Sequence, residues 1–486
     1  MTQSYDLILH DVTLYDGTGG PARVASVAVA KGRIALIADS LSAPALSEVD
    51  GTGLSLSPGF IDVHTHDDRA VLATDMAAKL TQGVTTVVVG NCGISLGPLP
   101  GQRAVVPPLD LIARGPGDLF ARFGDYLQAV TDAGPAVNMV ALVGHSTLRL
   151  ACMDRLDRAA TTNEAHAMRG LLDQALNDGA IGLSTGLYYQ PAHAASLAEL
   201  LTVAEPLARY NGLYTTHLRD EADGVLDAME EAFEIGRGVD VPVVLSHHKV
   251  TDERNRGRTA ITLPVIAARA AEQPVTLDVY PYNASSTVLE AKRATEVERI
   301  IITWSKARPD LAGRELADIA AEMGCSRPEA VARLQPAGAV YFSMAEEDVR
   351  RVLQFPLTMV GSDGLPHDVR PHPRLWGTFP RVLGHYVREV GLFGLAEALR
   401  RMTTLPAARF GLNGRGVLRE GACADLVLFD PKTIADVADF AAPTQPSAGI
   451  RSVWVNGQEA CRDGVVTGAR AGRVLRNSDL APKDFS

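Results

Sequence analysis

The order of apolar and polar positions changes character twice along the chain. In the first fifty residues, apolar and polar side chains alternate at 5–10 and again at 24–29, and turn-forming pairs such as Lys31-Gly32 separate the runs. Such alternation predicts half-buried β-strands, because successive side chains of a strand point to opposite faces. The N-terminal segment is therefore predicted to form short antiparallel strands.

From residue 58 onward, nearly continuous apolar runs alternate with longer segments of helical periodicity, such as 163–177 and 223–237. Continuous apolar runs are typical of parallel strands that helices cover on both faces. Eight strands separated by helices indicate an α/β fold, a (β/α)8 TIM-like barrel, with an open doubly wound sheet as the alternative. The eight predicted strands are 58–64, 84–90, 138–144, 180–185, 212–217, 242–247, 275–280 and 357–363.

Beyond residue 412 the alternating pattern returns, and Asn456-Gly457 between two such runs indicates a β-hairpin. We expect the β-rich pieces at the two ends of the chain to pair with each other. The sequence thus predicts a small β-sandwich domain built from residues 1–56 and 413–486, beside a catalytic barrel of residues 57–412.

Two intervals between predicted strands exceed ordinary loop length, at about 94–136 and about 284–356. The second contains helical patterns of its own at 311–323 and 327–334. Long insertions at the catalytic end of a barrel often close over the site. We therefore predict that the second interval is a lid inserted between the seventh and eighth strands.

Composition narrows the function classes. The chain has 486 residues, 46% of them apolar, and a net charge of −11, which argues against general binding of nucleic acid. No apolar run reaches membrane-spanning length and the N-terminus lacks a signal-peptide pattern, so we expect a cytoplasmic protein without a membrane partner. An odd number of scattered cysteines fits a reducing compartment. They are Cys92, Cys152, Cys325, Cys423 and Cys461.

The first predicted strand ends in two histidines, His64 and His66. Residues two apart on a strand point to the same face, so both imidazoles leave the strand side by side. Neutral imidazole is a good ligand for zinc. This pair alone is also compatible with a polar loop, and the metal interpretation depends on what closes the other strands.

Ligand-type residues close most of the other predicted strands at their C-terminal ends, where barrel enzymes keep their sites. Taken singly, each has an ordinary explanation as a buried core residue or a turn residue, but together they are enough for one or two zinc ions. His248 is expected to point away from His247 in an extended segment, and the role of His145 stays open. The strand-end residues are Cys92, His145, His217, His247, Asp278, Tyr280 and Asp363.

This inventory predicts metal-assisted hydrolysis. A zinc ion lowers the pKa of a bound water towards neutrality, and a carboxylate beside it can take the proton and deliver it to a leaving group. Asp363 is the candidate for that proton transfer, and the substrate is an amide, an ester or a cyclic amide. Neither a phosphate-binding loop nor a Gly-x-Ser-x-Gly nucleophile turn is present.

The residues resemble the amidohydrolase superfamily, and within it the N-acyl-D-amino-acid deacylases, known as D-aminoacylases. The resemblance spans nearly the whole chain. It rests on the motifs Pro58-Gly-Phe-Ile-Asp-Val-His-Thr-His, Val89-Gly-Asn-Cys-Gly, Leu183-Ser-Thr-Gly-Leu, Ser246-His-His-Lys, Tyr280-Pro-Tyr, Gly361-Ser-Asp-Gly-Leu-Pro and Arg370-Pro-His-Pro-Arg-Leu-Trp-Gly.

The resemblance implies a role for each matching residue. The ligands of a tightly held zinc would be Cys92, His217 and His247, and those of a second, weaker position would be His64 and His66 together with Cys92. Asp363 matches the catalytic acid and base. The groups that bind the α-carboxylate of the substrate would be Lys249, Tyr280, Ser286 and Arg374, as expected for cations and hydroxyls.

The resemblance also implies a small-molecule N-acyl-D-amino acid as substrate, for an enzyme that is a monomer or small homo-oligomer. Arg293 aligns with an arginine that binds the distal carboxylate in N-acyl-D-glutamate deacylases, so D-glutamate and apolar D-residues both stay open. The alternatives are a cyclic-amide hydrolase of the dihydropyrimidinase type and a barrel that has lost catalysis. Cys92 disfavours the first, and the complete ligand set with Asp363 disfavours the second.

Overall fold

The computed structural model describes residues 4–100 and 105–485. Residues 1–3, 101–104 and 486, which belong to the predicted terminal domain and to the interval 94–136, lie outside the described residues. A parallel barrel forms the centre of the fold, and all eight predicted strand positions are strands. They are Phe60–Asp62, Val84–Val89, Asn138–Ala141 continued by Val143–Gly144, Gly182–Gly186, Leu213–His217, Val243–Leu245, Val275–Val279 and Thr358–Val360.

The barrel closes on itself, so the open doubly wound alternative is wrong. The third strand bridges the two arcs, because Asn138–Ala141 pairs with the second strand and Val143–Gly144 with the fourth. The first and eighth strands meet at a parallel bridge between Thr65 and Gly364. There the Asp363 amide donates to the His64 carbonyl over 2.7 Å.

Alternation along the strands separates an inner from an outer face. The inward positions form one buried cluster that fills the barrel, and residues near 405–412 seal its lower end. Their neighbours face the helical layer, as Val243 and Leu245 do on the sixth strand. On the seventh strand the inward position is Asp278, a charged group near the catalytic end. The strand residues of the inner cluster are Ile61, Val88, Val140, Leu213, Val244 and Met359.

Helices cover the barrel where the periodicity predicts them. The predicted helices 163–177 and 223–237 are observed within two residues of their expected bounds. The helices are Ala70–Ala73, Ala77–Leu80, Phe123–Ala133, His145–Cys152, Thr162–Asp178, Gln190–His193, Leu197–Ala204, Val225–Val239, Thr259–Ala270, Arg293–Glu296, Leu316–Glu322, Arg327–Leu334, Glu346–Gln354, Arg374–Arg381, Leu395–Met402 and Thr404–Phe410.

Both ends of the chain contribute to one nine-stranded sheet. Its seam is the antiparallel pair Ser55–Pro58 and Leu426–Phe429, which joins the N-terminal strands to the C-terminal ones. Asn456 and Gly457 turn the predicted hairpin with positive φ angles of 49° and 81°. The strands are Tyr5–Leu14, Arg23–Ala30, Arg33–Ala38, Ala45–Asp50, Ser55–Pro58, Leu426–Phe429, Ile450–Val455, Gln458–Arg462 and Val465–Val466.

The chain between the seventh and eighth strands folds as a unit with its own small core. The strands Ser285–Val288, Ile300–Ser305 and Ala337–Tyr341 form an antiparallel sheet, and the predicted helix 327–334 is observed with these bounds. Phe342 stacks on Phe440 at a centroid distance of 4.8 Å, so the insertion also contacts the C-terminal segment. Its first strand lies directly beside the catalytic end of the barrel.

Candidate metal centre

A cavity of about 240 Å³ opens at the C-terminal end of the barrel. Strand ends form its floor, and the first strand and short helix of the insertion form one wall. Eight of the eleven predicted site residues line this cavity, and the other three each contact a residue that lines it: Cys92 contacts His247, and His64 and Arg374 contact Asp363. Residues that line it include His66, Tyr188, Tyr189, His217, Glu221, His247, Lys249, Tyr280, Ser285, Ser286, Arg293, Asp363 and Leu365.

His64 and His66 converge on Asp363, as their spacing on the first strand predicts. The Nε2 atom of His66 lies 3.2 Å from Asp363 Oδ1, and that of His64 lies 3.5 Å from the same oxygen. His64 Nε2 is also 3.2 Å from the sulfur of Cys92, while its Nδ1 is 3.3 Å from Asp278 Oδ2. Asp278 therefore orients the His64 ring with Nε2 towards the sulfur.

Cys92 lies on a sharp turn after the second strand and places its sulfur among histidines. Its φ of 52° is rare for a residue with a side chain and marks a constrained backbone. The sulfur lies 3.4 Å from Nε2 of His247 as well as close to His64. Burial by itself raises the pKa of the thiol, but His64 and His247 outweigh it and lower the pKa well below its usual value. The sulfur is thus held as a thiolate, the form that binds metal.

His217 and His247 end the fifth and sixth strands and pack edge to face, with ring centroids 4.4 Å apart. Glu221 lies beside both rings, and the sequence did not predict it as a site residue. Its carboxylate is 3.1 Å from His247 Nδ1 and 3.7 Å from His217 Nε2. The only sequence signal was an acidic residue four positions after His217.

Two groups of ligand-type atoms result, and His247 belongs to both. In each group the donor atoms lie within 4.8 Å of one another. Cys92, His247 and His64 share the first group with Asp363, and His217 shares the second with Glu221. The two groups contain four of the five predicted metal ligands, and the fifth, His66, belongs to neither group but contacts Asp363 at 3.2 Å. The division into a tight site and a weak site stays a prediction.

The donor set fits zinc. A thiolate and several imidazoles are the ligands that zinc selects, and separations of 3.2 to 3.5 Å between donor atoms suit a tetrahedral ion. Two ring nitrogens, His66 Nδ1 and His217 Nδ1, are buried without a hydrogen-bond partner in the described part of the chain. Buried polar atoms of this kind call for a ligand, a water or an ion.

Asp363 is held ionised beside these donors. Its backbone has a φ of 50°, and its Oδ2 pairs with Arg374 Nη1 at 2.9 Å. Burial raises the pKa of this carboxyl, but Arg374 and the hydrogen bond from His66 outweigh that effect and hold the pKa well below its usual value. At neutral pH the group is therefore a carboxylate that can accept a proton.

A family model described as the amidohydrolase family matches residues 47–260 and 261–460. The chain belongs to the amidohydrolase family. It is 54% identical to a D-aminoacylase of Alcaligenes xylosoxydans xylosoxydans, over 98% of each chain, and 52% identical to an N-acyl-D-aspartate deacylase of the same organism, over 98% of this chain and 96% of that one. It also resembles the solved structure of the N-acyl-D-glutamate deacylase of Bordetella bronchiseptica, complexed with zinc and a phosphonate mimic of the tetrahedral intermediate. That match has a TM-score of 0.93, 48% identity and coverage of 98% of this chain and 100% of the other.

In this amidohydrolase the predicted carboxylate-binding residues lie together next to Asp363. The Arg374 guanidinium lies 4.5 Å from the centre of the Tyr280 ring and donates to the Ser286 carbonyl over 3.0 Å. Lys249 Nζ lies 2.7 Å from Glu221 and 5.8 Å from the centre of the same ring. Among the described residues, Tyr280 Oη and Ser286 Oγ lack a hydrogen-bond partner, so both hydroxyls are free for a ligand. Arg374 itself is fully buried behind the cavity wall.

Arg293 lies further out, in the wall that the insertion provides. Its guanidinium stacks over the Tyr341 ring at 3.8 Å and lies 3.3 Å from Ser343 Oγ and 3.5 Å from Ser285 Oγ. Within residues 4–100 and 105–485, no carboxylate comes within ion-pair distance of it. This half-buried cation thus faces the cavity with hydroxyls as its only hydrogen-bond partners.

Two other histidines of the amidohydrolase lie outside the centre. His145 follows the third strand, but its Nε2 binds Glu199 at 3.2 Å in the helical layer, beside Arg149. His145 belongs to neither group of ligand-type atoms. His248 turns away from His247, as expected, and binds Thr262 Oγ1 at 2.8 Å.

In the part of the chain that the structure describes, we find no helix with the length and apolar character needed to span a bilayer.

Proposed function

We propose that this protein is a zinc-dependent deacylase that hydrolyses the amide bond of N-acyl-D-amino acids to a carboxylate and a D-amino acid. The observation that carries the proposal is the buried group of Cys92, His64, His247 and Asp363 at the floor of a small cavity. Cations and unpartnered hydroxyls beside that group supply what an α-carboxylate needs. Full-length relatives named as deacylases support linear amides over the cyclic amides of a dihydropyrimidinase.

The reaction needs a Lewis acid and a proton carrier. Zinc bound by the thiolate and imidazoles supplies activation of water and of a carbonyl oxygen. Asp363, ionised and facing the donor atoms, accepts the proton of the attacking water and then donates it to the nitrogen of the leaving amine. Arg374 holds this carboxylate in place through Oδ2, which leaves Oδ1 directed at His64 and His66.

The α-carboxylate of the substrate is bound between Lys249 and the Tyr280 ring. Tyr280 Oη and Ser286 Oγ donate hydrogen bonds to it, since neither has another partner among the described residues. Lys249 supplies the charge at the cavity surface. Arg374 adds a second positive charge 4.5 Å from the centre of the Tyr280 ring, and its Nε lacks a hydrogen-bond partner among the described residues, so it can also donate to this carboxylate.

The side chain of the substrate extends towards Arg293, and we assign this enzyme to acidic D-amino acids, D-glutamate or D-aspartate. A half-buried guanidinium whose hydrogen-bond partners among the described residues are hydroxyls favours a second carboxylate, because charge-assisted hydrogen bonds are about twice as strong as neutral ones. A second candidate substrate class, apolar D-residues such as D-leucine, is favoured by the aromatic side chains of Tyr188 and Tyr189, which line the same cavity.

Replacing Arg293 by leucine is expected to lower kcat/KM for N-acetyl-D-glutamate by about 10- to 100-fold, the value of one or two charge-assisted hydrogen bonds. The rate for N-acetyl-D-leucine should rise or stay constant. Steady-state assays with both substrates measure the change. Arg308→Leu is the matched control, because Arg308 is an exposed arginine of the same insertion that pairs with Asp310 and does not line the cavity, and it should leave both rates unchanged. Equal rates of Arg293→Leu and wild type with D-glutamate would favour the apolar class.

The whole proposal is tested by metal content together with turnover of N-acetyl-D-glutamate, N-acetyl-D-leucine and N-acetyl-L-glutamate. We expect bound zinc, activity with at least one D-substrate and none with the L-substrate. Removal of zinc by a chelator should abolish turnover, and zinc added back should restore it. Bound zinc without turnover of either D-substrate would favour a cyclic-amide hydrolase. A protein without affinity for zinc would contradict the assignment of the metal site.

The proposal also covers the inserted lid, the small terminal domain, the cellular location and the oligomeric state. The insertion, about 284–356, serves as the lid, because it contributes Ser285, Ser286 and Arg293 to the cavity wall. The small domain comprises both chain ends around the nine-stranded sheet. A cytoplasmic location and a monomer or small homo-oligomer complete the proposal. Limited proteolysis within 284–356, with and without substrate, tests the lid.

A further inference from the structure

Glu221 stands apart from the other residues of the site because it touches both a metal-ligand histidine and the carboxylate-binding lysine. Its Oε1 lies 3.1 Å from His247 Nδ1 and 2.7 Å from Lys249 Nζ. The side chain is nine-tenths buried, and its carbonyl accepts from the Thr251 amide over 2.8 Å, which fixes the backbone of this turn. A buried carboxylate with two such neighbours is a constrained group.

The contacts decide which nitrogen of His247 carries the proton. Lys249 Nζ has two oxygen acceptors, Glu221 Oε1 and the His247 carbonyl at 3.2 Å. Among the described residues, the Nδ1–H group of His247 has only the Glu221 carboxylate to donate to, so the proton belongs on Nδ1. This leaves the Nε2 lone pair directed towards Cys92, 3.4 Å away, so both residues would be free to hold a zinc ion.

The opposite tautomer would place a proton on Nε2, facing Cys92, and would block that lone pair. Lys249 Nζ lies 2.9 Å from His247 Nδ1 and is the group that would favour the wrong tautomer if Glu221 were absent. The carboxylate prevents this by taking both donors. Partners of this kind are known in general to orient ligand histidines and to raise their basicity.

We propose that Glu221 is a positioning residue, which aims Nε2 of His247 at the zinc by accepting from Nδ1 and which holds Lys249 at the edge of the cavity. The proposal rests on the proposed function, because it needs zinc at Cys92 and His247. It assigns the residue a role through His247 and not as a zinc ligand. One side chain thereby links the metal centre to the subsite for the substrate's α-carboxylate.

The test is the zinc affinity of the metal-free protein, measured by competition with a chromogenic chelator. Glu221→Leu removes the acceptor and should weaken zinc binding by about 10- to 100-fold. Glu221→Gln keeps the side-chain volume and a neutral acceptor, so its affinity should lie between those of the leucine variant and the wild type. In the Gln variant, KM should rise as well, because Lys249 loses its anionic partner.

Glu199→Gln is the matched control. Glu199 is another buried carboxylate that contacts a histidine and a cation, His145 and Arg149, but in the helical layer. Replacing Glu199 removes a comparable buried ion pair and should leave zinc affinity unchanged. The comparison separates the positioning role of Glu221 from a general loss of stability. If Glu221→Leu does not fold, the Gln variant carries the test.

Cobalt in place of zinc supplies a spectroscopic readout. Unchanged absorption bands in Glu221→Gln support positioning, whereas shifted bands would show that Glu221 is itself a ligand and would overturn the proposal. Zinc affinity equal to wild type in both Glu221 variants would overturn it too. A wild-type protein that fails to bind zinc would instead contradict the proposed function, and with it the role assigned to Glu221.

Discussion

Asp363→Asn is expected to lower kcat/KM for the preferred N-acyl-D-amino acid by about 10²- to 10⁴-fold, the usual contribution of a positioned acid and base. Asparagine has nearly the same shape but cannot accept a proton from the attacking water. The thiolate and the two strand-end histidines of the fifth and sixth strands are unchanged, so bound zinc should remain. Rates and metal content measured on the same preparation separate the loss of proton transfer from the loss of metal.

The geometry explains why no other group can replace Asp363. Its Oδ1 is the one oxygen that lies within 3.5 Å of both first-strand histidines among the described residues. Asp278, another buried carboxylate of the centre, uses its oxygens on His64 Nδ1 and on the His247 amide, and Glu221 uses Oε1 on His247 Nδ1 and Lys249 Nζ. A water molecule between the metal-ligand atoms and the substrate therefore has Asp363 as its proton acceptor.

Asp368→Asn is the matched control for this prediction. Asp368 lies five residues further along the same segment and is half-buried, and desolvation raises the pKa of its carboxyl to about 7. It lines a separate cavity with Asp67 and Trp376. The same substitution there should leave turnover and zinc content unchanged. A wild-type rate in Asp363→Asn, or an equal fall in both variants, would contradict the role assigned to Asp363.

The barrel and the metal residues could be predicted because each depends on short-range pattern. Alternation of apolar residues within a strand determines which face is buried, so the strand ends and their histidines follow from the sequence itself. His64 and His66 needed only their spacing of two. Cys92 needed only its place after the second strand, because the C-terminal ends of parallel strands converge in a barrel.

The contacts of Glu221 and the depth of Arg374 could not be predicted from such short-range patterns. The contacts of Glu221 depend on how the turn after the fifth strand folds back over the sixth, which no local pattern encodes. Arg374 belongs to a recognised motif, but its depth behind Tyr280 depends on packing between the eighth strand and the insertion. An acid four residues past a histidine, or an arginine in a polar motif, is otherwise typical of a solvated surface.

The role of Asp62 and Lys79 escaped prediction for the same reason. Lys79 lies on the short helix Ala77–Leu80 and is fully buried. Its ammonium lies 2.8 Å from Asp62 Oδ2, 2.8 Å from Ser362 Oγ and 3.2 Å from Asp67 Oδ2. Asp62 in turn accepts from the Ser362 amide over 2.8 Å. This network ties the first strand to the eighth, immediately next to Asp363.

Lys79→Met is therefore expected to destabilise the protein by about 3–5 kcal/mol, because it leaves the carboxylates of Asp62 and Asp67 buried without their cation. Urea-induced unfolding, followed by circular dichroism, measures the change in the free energy of unfolding. Lys432→Met replaces an exposed lysine of the terminal domain and should change it by no more than about 0.5 kcal/mol.

Adding Asp62→Asn and Asp67→Asn to Lys79→Met tests the cause. If unpaired buried charge is the reason for the loss, the triple variant should regain part of the stability that the single variant loses, since it leaves no carboxylate without a cation. A triple variant less stable than Lys79→Met would instead mean that hydrogen bonds to Ser362 and to the strand backbone dominate. Because the network joins the strands that carry His64 and Asp363, catalytic activity should recover together with stability in the first case and stay low in the second.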